Sequence, residues 1–208
     1  MANKTFYTQE QVGTLQTAET YNQCIFDTLD IKGKDLQDCT FKECSFVNCN
    51  FTGSKFNASI FINCNLSNAK ITRCNFFSTT FSECKLLGLS FSEASSCTSI
   101  TFTKCNFDFG DLRGVDLSGL DLSNSSFSET DLSLTNLEKT SFINSHIANI
   151  KLDDAKLSMT DFRGAEIQGF DLRNMNLKGA IFTPVQLAFL AGEIGIHIIE
   201  SRFLSRGK

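Results

Sequence analysis

Large apolar residues recur at every fifth position of this chain. One run steps from Phe26 through Ile31, Leu36, Phe41 and Phe46 to Phe91, and a second steps from Phe102 to Phe182. Together they hold 31 sites, each Phe, Leu or Ile. A period of five is neither the 3.6 of a helix nor the 2 of a strand. It predicts a chain that turns a corner every five residues and sends one large side chain, the centre, inward each time. The residue two before each centre is usually small and also reads as inward, as at Cys44, Ser54, Thr79, Gly110, Thr140 and Ala165. The residue just before the centre is mostly polar and reads as outward. Such a unit buries its apolar face only by stacking on copies of itself, so the pattern predicts an all-β solenoid.

The period divides the chain into a lead-in over 1–20, the repeat array over 21–182 and a C-terminal segment over 183–208. Phe91 and Phe102 stand 11 positions apart rather than 10. One residue is therefore inserted near 92–101, and one centre there, near Ser96 or Cys97, is not a large hydrophobe. After Phe182 the period stops. Thr183 reads as a helix N-cap, Pro184 as the first helical position and Gly195 as the stop. A short strand is expected over Ile196–Ile199. The helix is apolar nearly all round, more than a cap over the end of the tube needs. Leu187, Phe189, Leu190 and Ile194 are accordingly expected to join two copies into a homodimer.

Composition narrows the function. The chain has 21 Phe and no Trp, and a narrow tube of identical slots suits one-ring side chains. Its net charge of −4 does not suggest direct binding to nucleic acid. No apolar run approaches a membrane span, and the N-terminus lacks the apolar core of a signal peptide, so the expected location is cytoplasmic. Eight of the nine cysteines sit at the small inward position, five of them in one column: Cys24, Cys44, Cys64, Cys84 and Cys105. They read as reduced packing groups. Cys97, in the break, is the one expected to react. His146 and His197 have no nucleophile or carboxylate partner at an interpretable spacing. No phosphate loop, nucleophile elbow or HExxH element is present. The expectation is a protein that is not an enzyme and takes no cofactor or metal.

Pentapeptides such as Gly110-Asp111-Leu112-Arg113-Gly114 and Ala165-Glu166-Ile167-Gln168-Gly169 identify the chain as resembling the pentapeptide-repeat proteins over roughly residues 21–182. The resemblance implies a right-handed quadrilateral β-helix with four repeats per coil. Stacked residues would then stand 20 apart, giving about eight coils and a tube of about 38 Å. The end pattern Gln186, Leu190, Gly195, Ile196, Ile198 is similar to that of the Qnr-type fluoroquinolone-resistance proteins and their mycobacterial relative MfpA. So are the approach over Phe170–Ala180 and the segment Cys84–Phe91 with its following break. That likeness implies a tail-to-tail dimer that binds DNA gyrase and topoisomerase IV, two type II topoisomerases, and imitates duplex DNA. Some of those relatives carry large projecting loops; the break here adds only one residue. The alternative is a pentapeptide scaffold for a different protein partner.

The acidic excess lies in the C-terminal half, where residues 105–182 hold 12 acidic and 7 basic groups. Asp108, Asp111, Asp131, Asp153, Asp154 and Asp171 fall on two adjoining faces and are the expected partner-binding groups. Glu93 and Ser96 in the break join them. Duplex DNA of the same length would carry about 22 charges, so imitation would rest on shape and local patches.

Overall fold

The computed structural model describes residues 5–170 and 175–198. Its strands are short and all parallel. β1 (Thr5–Phe6) pairs with β3 (Cys24–Ile25). A second sheet stacks β2 (Thr20–Asn22), β4 (Thr40–Lys42), β5 (Ile60–Ile62), β6 (Thr80–Ser82) and β7 (Thr101–Thr103) in sequence order. Their register advances by 20 residues, Tyr21 to Phe41 to Phe61 to Phe81, and then by 21 to Phe102. Single bridges continue the same ladders on the other faces and toward the C-terminus, for example Ile25–Ser45, Asp30–Asn50 and Asp35–Lys55, ending at Asp161–Ile181. Four bridged faces per coil make the right-handed quadrilateral β-helix that the repeat implies. Regular strand occupies five rungs, fewer than the eight coils expected; beyond Thr103 the rungs shorten to single bridges.

The five-residue period has a local cause. Two residues after each centre the backbone turns left-handed, at Thr28, Asp38, Asn48, Ala58, Asn68 and onward. The next N–H then closes the corner on the centre's own carbonyl, as Leu29 does on Phe26 at 3.1 Å. Asn, Asp and Gly tolerate this conformation best. Other residues also occupy corners, and at Phe109, Leu134 and Met159 the positive φ falls on large, exposed apolar side chains.

The large centres from Phe26 to Ile167 are buried, and most meet a counterpart one coil away. On one face Phe41, Phe61 and Phe81 stack with ring centroids 4.8 Å apart, and Phe142, Phe162 and Phe182 continue at 5.4 and 5.1 Å. Offset stacks of this kind add to the apolar burial itself. The small inward residue has a second task. Its hydroxyl or thiol donates to a carbonyl 23 residues back, clamping adjacent coils. Thr140 reaches Leu117 O at 2.7 Å, Thr135 reaches Leu112 O at 3.1 Å, and Cys74 reaches Phe51 O at 3.0 Å. All nine cysteines are free, and burial pushes the Cys49 and Cys74 thiols up to about 12.

The C-terminal helix α1 (Pro184–Glu193) starts on a complete capping box, with Thr183 and Gln186 satisfying each other's backbone N–H. Gln186 also donates through Nε2 to the carbonyls of Phe162 and Ala165 at 2.7 and 2.8 Å, which ties the helix to the last coil. The helix ends with Ile196 N–H on Ala191 O and Gly195 at φ 80°. The strand expected over Ile196–Ile199 does not form at Ile196–Ile198, and Ile199 lies outside the described residues.

Candidate protein-binding surface

The wall of a filled tube offers its surface, its one irregular segment and its end. The expected acidic groups occupy the wall in distinct ways. Asp108 is half-buried; its Oδ1 accepts from Ser126 Oγ at 2.5 Å and Ser128 N–H at 2.8 Å. Asp111 receives Arg113 at both carboxylate oxygens, at 2.9 and 2.7 Å, and Ser92 Oγ at 2.8 Å. The Arg113 hydrogen bonds hold the Asp111 carboxyl well below the usual carboxylate range. Asp131 stacks directly on Asp111 in the ladder and faces Lys151 at 3.7 Å. Two of the expected carboxylates are thus matched by cations of the same wall, which lowers its local negative field. Asp153 and Asp154 are exposed. Asp171 lies outside the described residues. His146, read from the sequence as unpartnered, meets Glu166 one coil on, with Nδ1 2.5 Å from the carboxylate. The 20-residue step brings the two together.

The inserted residue sits in a 3₁₀ turn over Phe91–Glu93. Pairs that do not span it keep a register of 20, as at Asn65–Lys85; pairs that span it are made at 21, as at Asn75–Ser96 and Ser90–Asp111. The weak centre is therefore Cys97, one coil after Phe76. Glu93 is exposed and accepts from Thr72 Oγ1 at 2.6 Å. Ser96 Oγ lies 3.4 Å from the Thr98 hydroxyl. Reactivity at Cys97 is not supported, because burial pushes its thiol up to about 11 and leaves little thiolate near neutral pH.

The coil below the break does not close on it. In most coils the centre N–H bonds to the outward residue 19 positions on, or 20 across the inserted residue, although Ile71, Phe91 and Leu157 make no such bond. Among the described residues, no backbone bond joins Cys97 to Asp116 or Phe102 to Asp121, and none returns from Asp116 to Ser95 or from Asp121 to Ile100. A cleft of about 420 Å³ opens along the Cys97–Asp116 part of this gap, lined by Ser96–Ile100 above and Arg113, Val115, Asp116, Ser118 and Leu120 below. The small inward slots differ here. Val115 and Leu120 stand where Thr135 and Thr140 stand one coil further on. They have no hydroxyl to clamp the coil before them and are larger than the slot they fill.

At the C-terminal end, Leu190 is only 3% exposed and packs into the continuous core. It therefore faces its own tube rather than the surface on which it was expected. Leu187, Phe189 and Ile194 are exposed, as is Val185, which the sequence reading had not placed in the interface. Among the described residues no three His, Cys, Asp or Glu are grouped to hold a metal ion, and no helix is long and apolar enough to cross a membrane.

A tube built from five-residue steps, with inward centres and left-handed corners, defines a class, and family comparison agrees. The model for a pentapeptide repeat region matches residues 17–91, and the model for pentapeptide repeats (8 copies) matches 74–119, 121–158 and 155–187. The chain belongs to the pentapeptide-repeat family. Among solved structures it is similar to full-length QnrB1, a plasmid-mediated fluoroquinolone resistance protein. The TM-score is 0.78 at 20% identity, over 92% of this chain and 95% of that one. A trypsin-treated variant of QnrB1 matches at TM-score 0.76 and 21% identity, over 88% and 92% of the two chains. No curated protein matches the chain by sequence.

Proposed function

We propose that the protein is a non-enzymatic, cytoplasmic binding protein that engages a type II topoisomerase, DNA gyrase or topoisomerase IV, and protects it from quinolones or related toxins. The observation that carries this reading is the near end-to-end correspondence with QnrB1, 92% of one chain on 95% of the other. The contact surface would be the flank bearing Asp108, Asp111, Asp131, Asp153 and Asp154, together with Glu93 and Ser96. Exposed apolar residues Val185, Leu187, Phe189 and Ile194 would join two tubes end to end.

Binding of purified gyrase to the immobilised protein tests this, read at low and raised salt. Attraction between surface charges weakens with salt. Because Asp111 and Asp131 already hold Arg113 and Lys151, the salt effect should be modest and Asp153→Asn with Asp154→Asn should reduce binding most. The same internal pairing favours a second reading, a scaffold whose partner recognises shape at another part of the wall. Absence of gyrase binding at low salt would select it.

A further inference from the structure

We propose that the cleft beneath the break is a strand-accepting site, which takes a short, uncharged, extended segment of a partner protein between two coils of the tube. Both lips present unused main-chain groups. The upper lip offers the N–H of Cys97 and Phe102 and the C=O of Ser95 and Ile100. The lower lip offers the N–H and C=O of Asp116 and Asp121. In most other coils these groups pair directly with one another across one ladder step. A group that can satisfy both lips at once is another extended backbone.

The lining sets the side-chain chemistry. Ile100 and Val115 are buried at the floor, with Cys97 and Leu120 half-buried beside them. Ser96, Thr98, Ser99 and Ser118 form a hydroxyl rim. An extended segment alternates its side chains between two directions, so the fitting sequence alternates β-branched apolar residues, pointing in, with Ser or Thr, pointing out. At a rise of ~3.3 Å, a strand spacing of ~4.8 Å and a layer depth of ~10 Å, a strand residue takes about 160 Å³. A cleft of about 420 Å³ then receives about three residues, the length of one face.

The test uses the whole protein, isotope-labelled, with the acetylated and amidated peptide Thr-Val-Ser-Val-Thr as probe, and reads amide shifts and hydrogen exchange. In the free protein the amides of Cys97, Phe102, Asp116 and Asp121 should exchange quickly, while Leu137 and Phe142 in the closed ladder stay protected. With peptide at ten times its Kd, the four lip amides should slow by about tenfold. Thr98→Trp and Ser118→Trp, two exposed rim positions, should each abolish that protection while Leu137 and Phe142 stay protected as the folding control. Protection of the four amides in the free protein would overturn the proposal, because the ladder would then be closed. So would an absence of shifts, or shifts that survive both tryptophan substitutions. None of these readouts involves a topoisomerase, so the outcome is independent of the partner proposed above.

Discussion

At the scale of the residue, each pentapeptide asks for one large apolar group, one small hydroxyl or thiol and one residue willing to turn left-handed. The large group excludes water, the small one clamps coils, and the third makes the corner. Where a residue is wrong for its slot, an effect follows. Leu134 is a corner residue at φ 62° with its side chain 63% exposed, so it carries backbone strain without packing to offset it. Leu134→Asn should stabilise the fold by roughly 0.5–1 kcal/mol, since Asn accepts this conformation more readily; chemical denaturation measures it. Asp111 carries a linkage effect. Its folded carboxyl is held below the ordinary value by Arg113, so it contributes stability above an unfolded value of about 3.9 and loses that contribution as pH falls through and below it. Asp111→Asn should therefore lessen the drop in melting temperature between about pH 5 and pH 3. An unchanged drop would mean that the Arg113 pair adds nothing to folding.

At the scale of the element, the period made the tube, its break and its helix legible. The 31 centres and the helix start at Thr183 and Pro184 were open to view because each rests on local spacing or local chemistry. The cleft rested on signals that were present but not used. Val115 and Leu120 are large for the small slot, but Ile150 fills the same slot beside a closed ladder, so the opening emerges only when a coil is set beside the next. Leu190 was misplaced because an apolar helix does not announce which side meets the tube; Gln186, bound to Phe162 O and Ala165 O, orients it. That orientation can be tested. Gln186→Ala removes both bonds and half of the capping box, and should cost about 1–3 kcal/mol by leaving buried carbonyls unsatisfied. Faster hydrogen exchange should appear in the last coil, at Phe162 and Ala165, before it appears at Phe41 or Phe61. Uniform loss across the tube would mean that the ends are not independent units.

At the scale of the molecule, the stacked design leaves two places for partners: the wall and the end. The end is an apolar helix face with Val185 78% and Leu187 52% exposed, and a second copy of the same face is its simplest cover. Leu187→Lys with Phe189→Lys should yield monomers by sedimentation while the coils stay folded, because neither side chain is buried in its own tube. An unchanged mass would place any self-association elsewhere. The wall carries the central claim, that this pentapeptide-repeat protein acts on a type II topoisomerase. The most direct measurement is DNA supercoiling by purified gyrase in the presence of a fluoroquinolone, across a titration of the protein. Restoration of supercoiling at low protein, with inhibition only at excess, is the expected result. A drug response that does not change at any concentration of folded protein would contradict the claim.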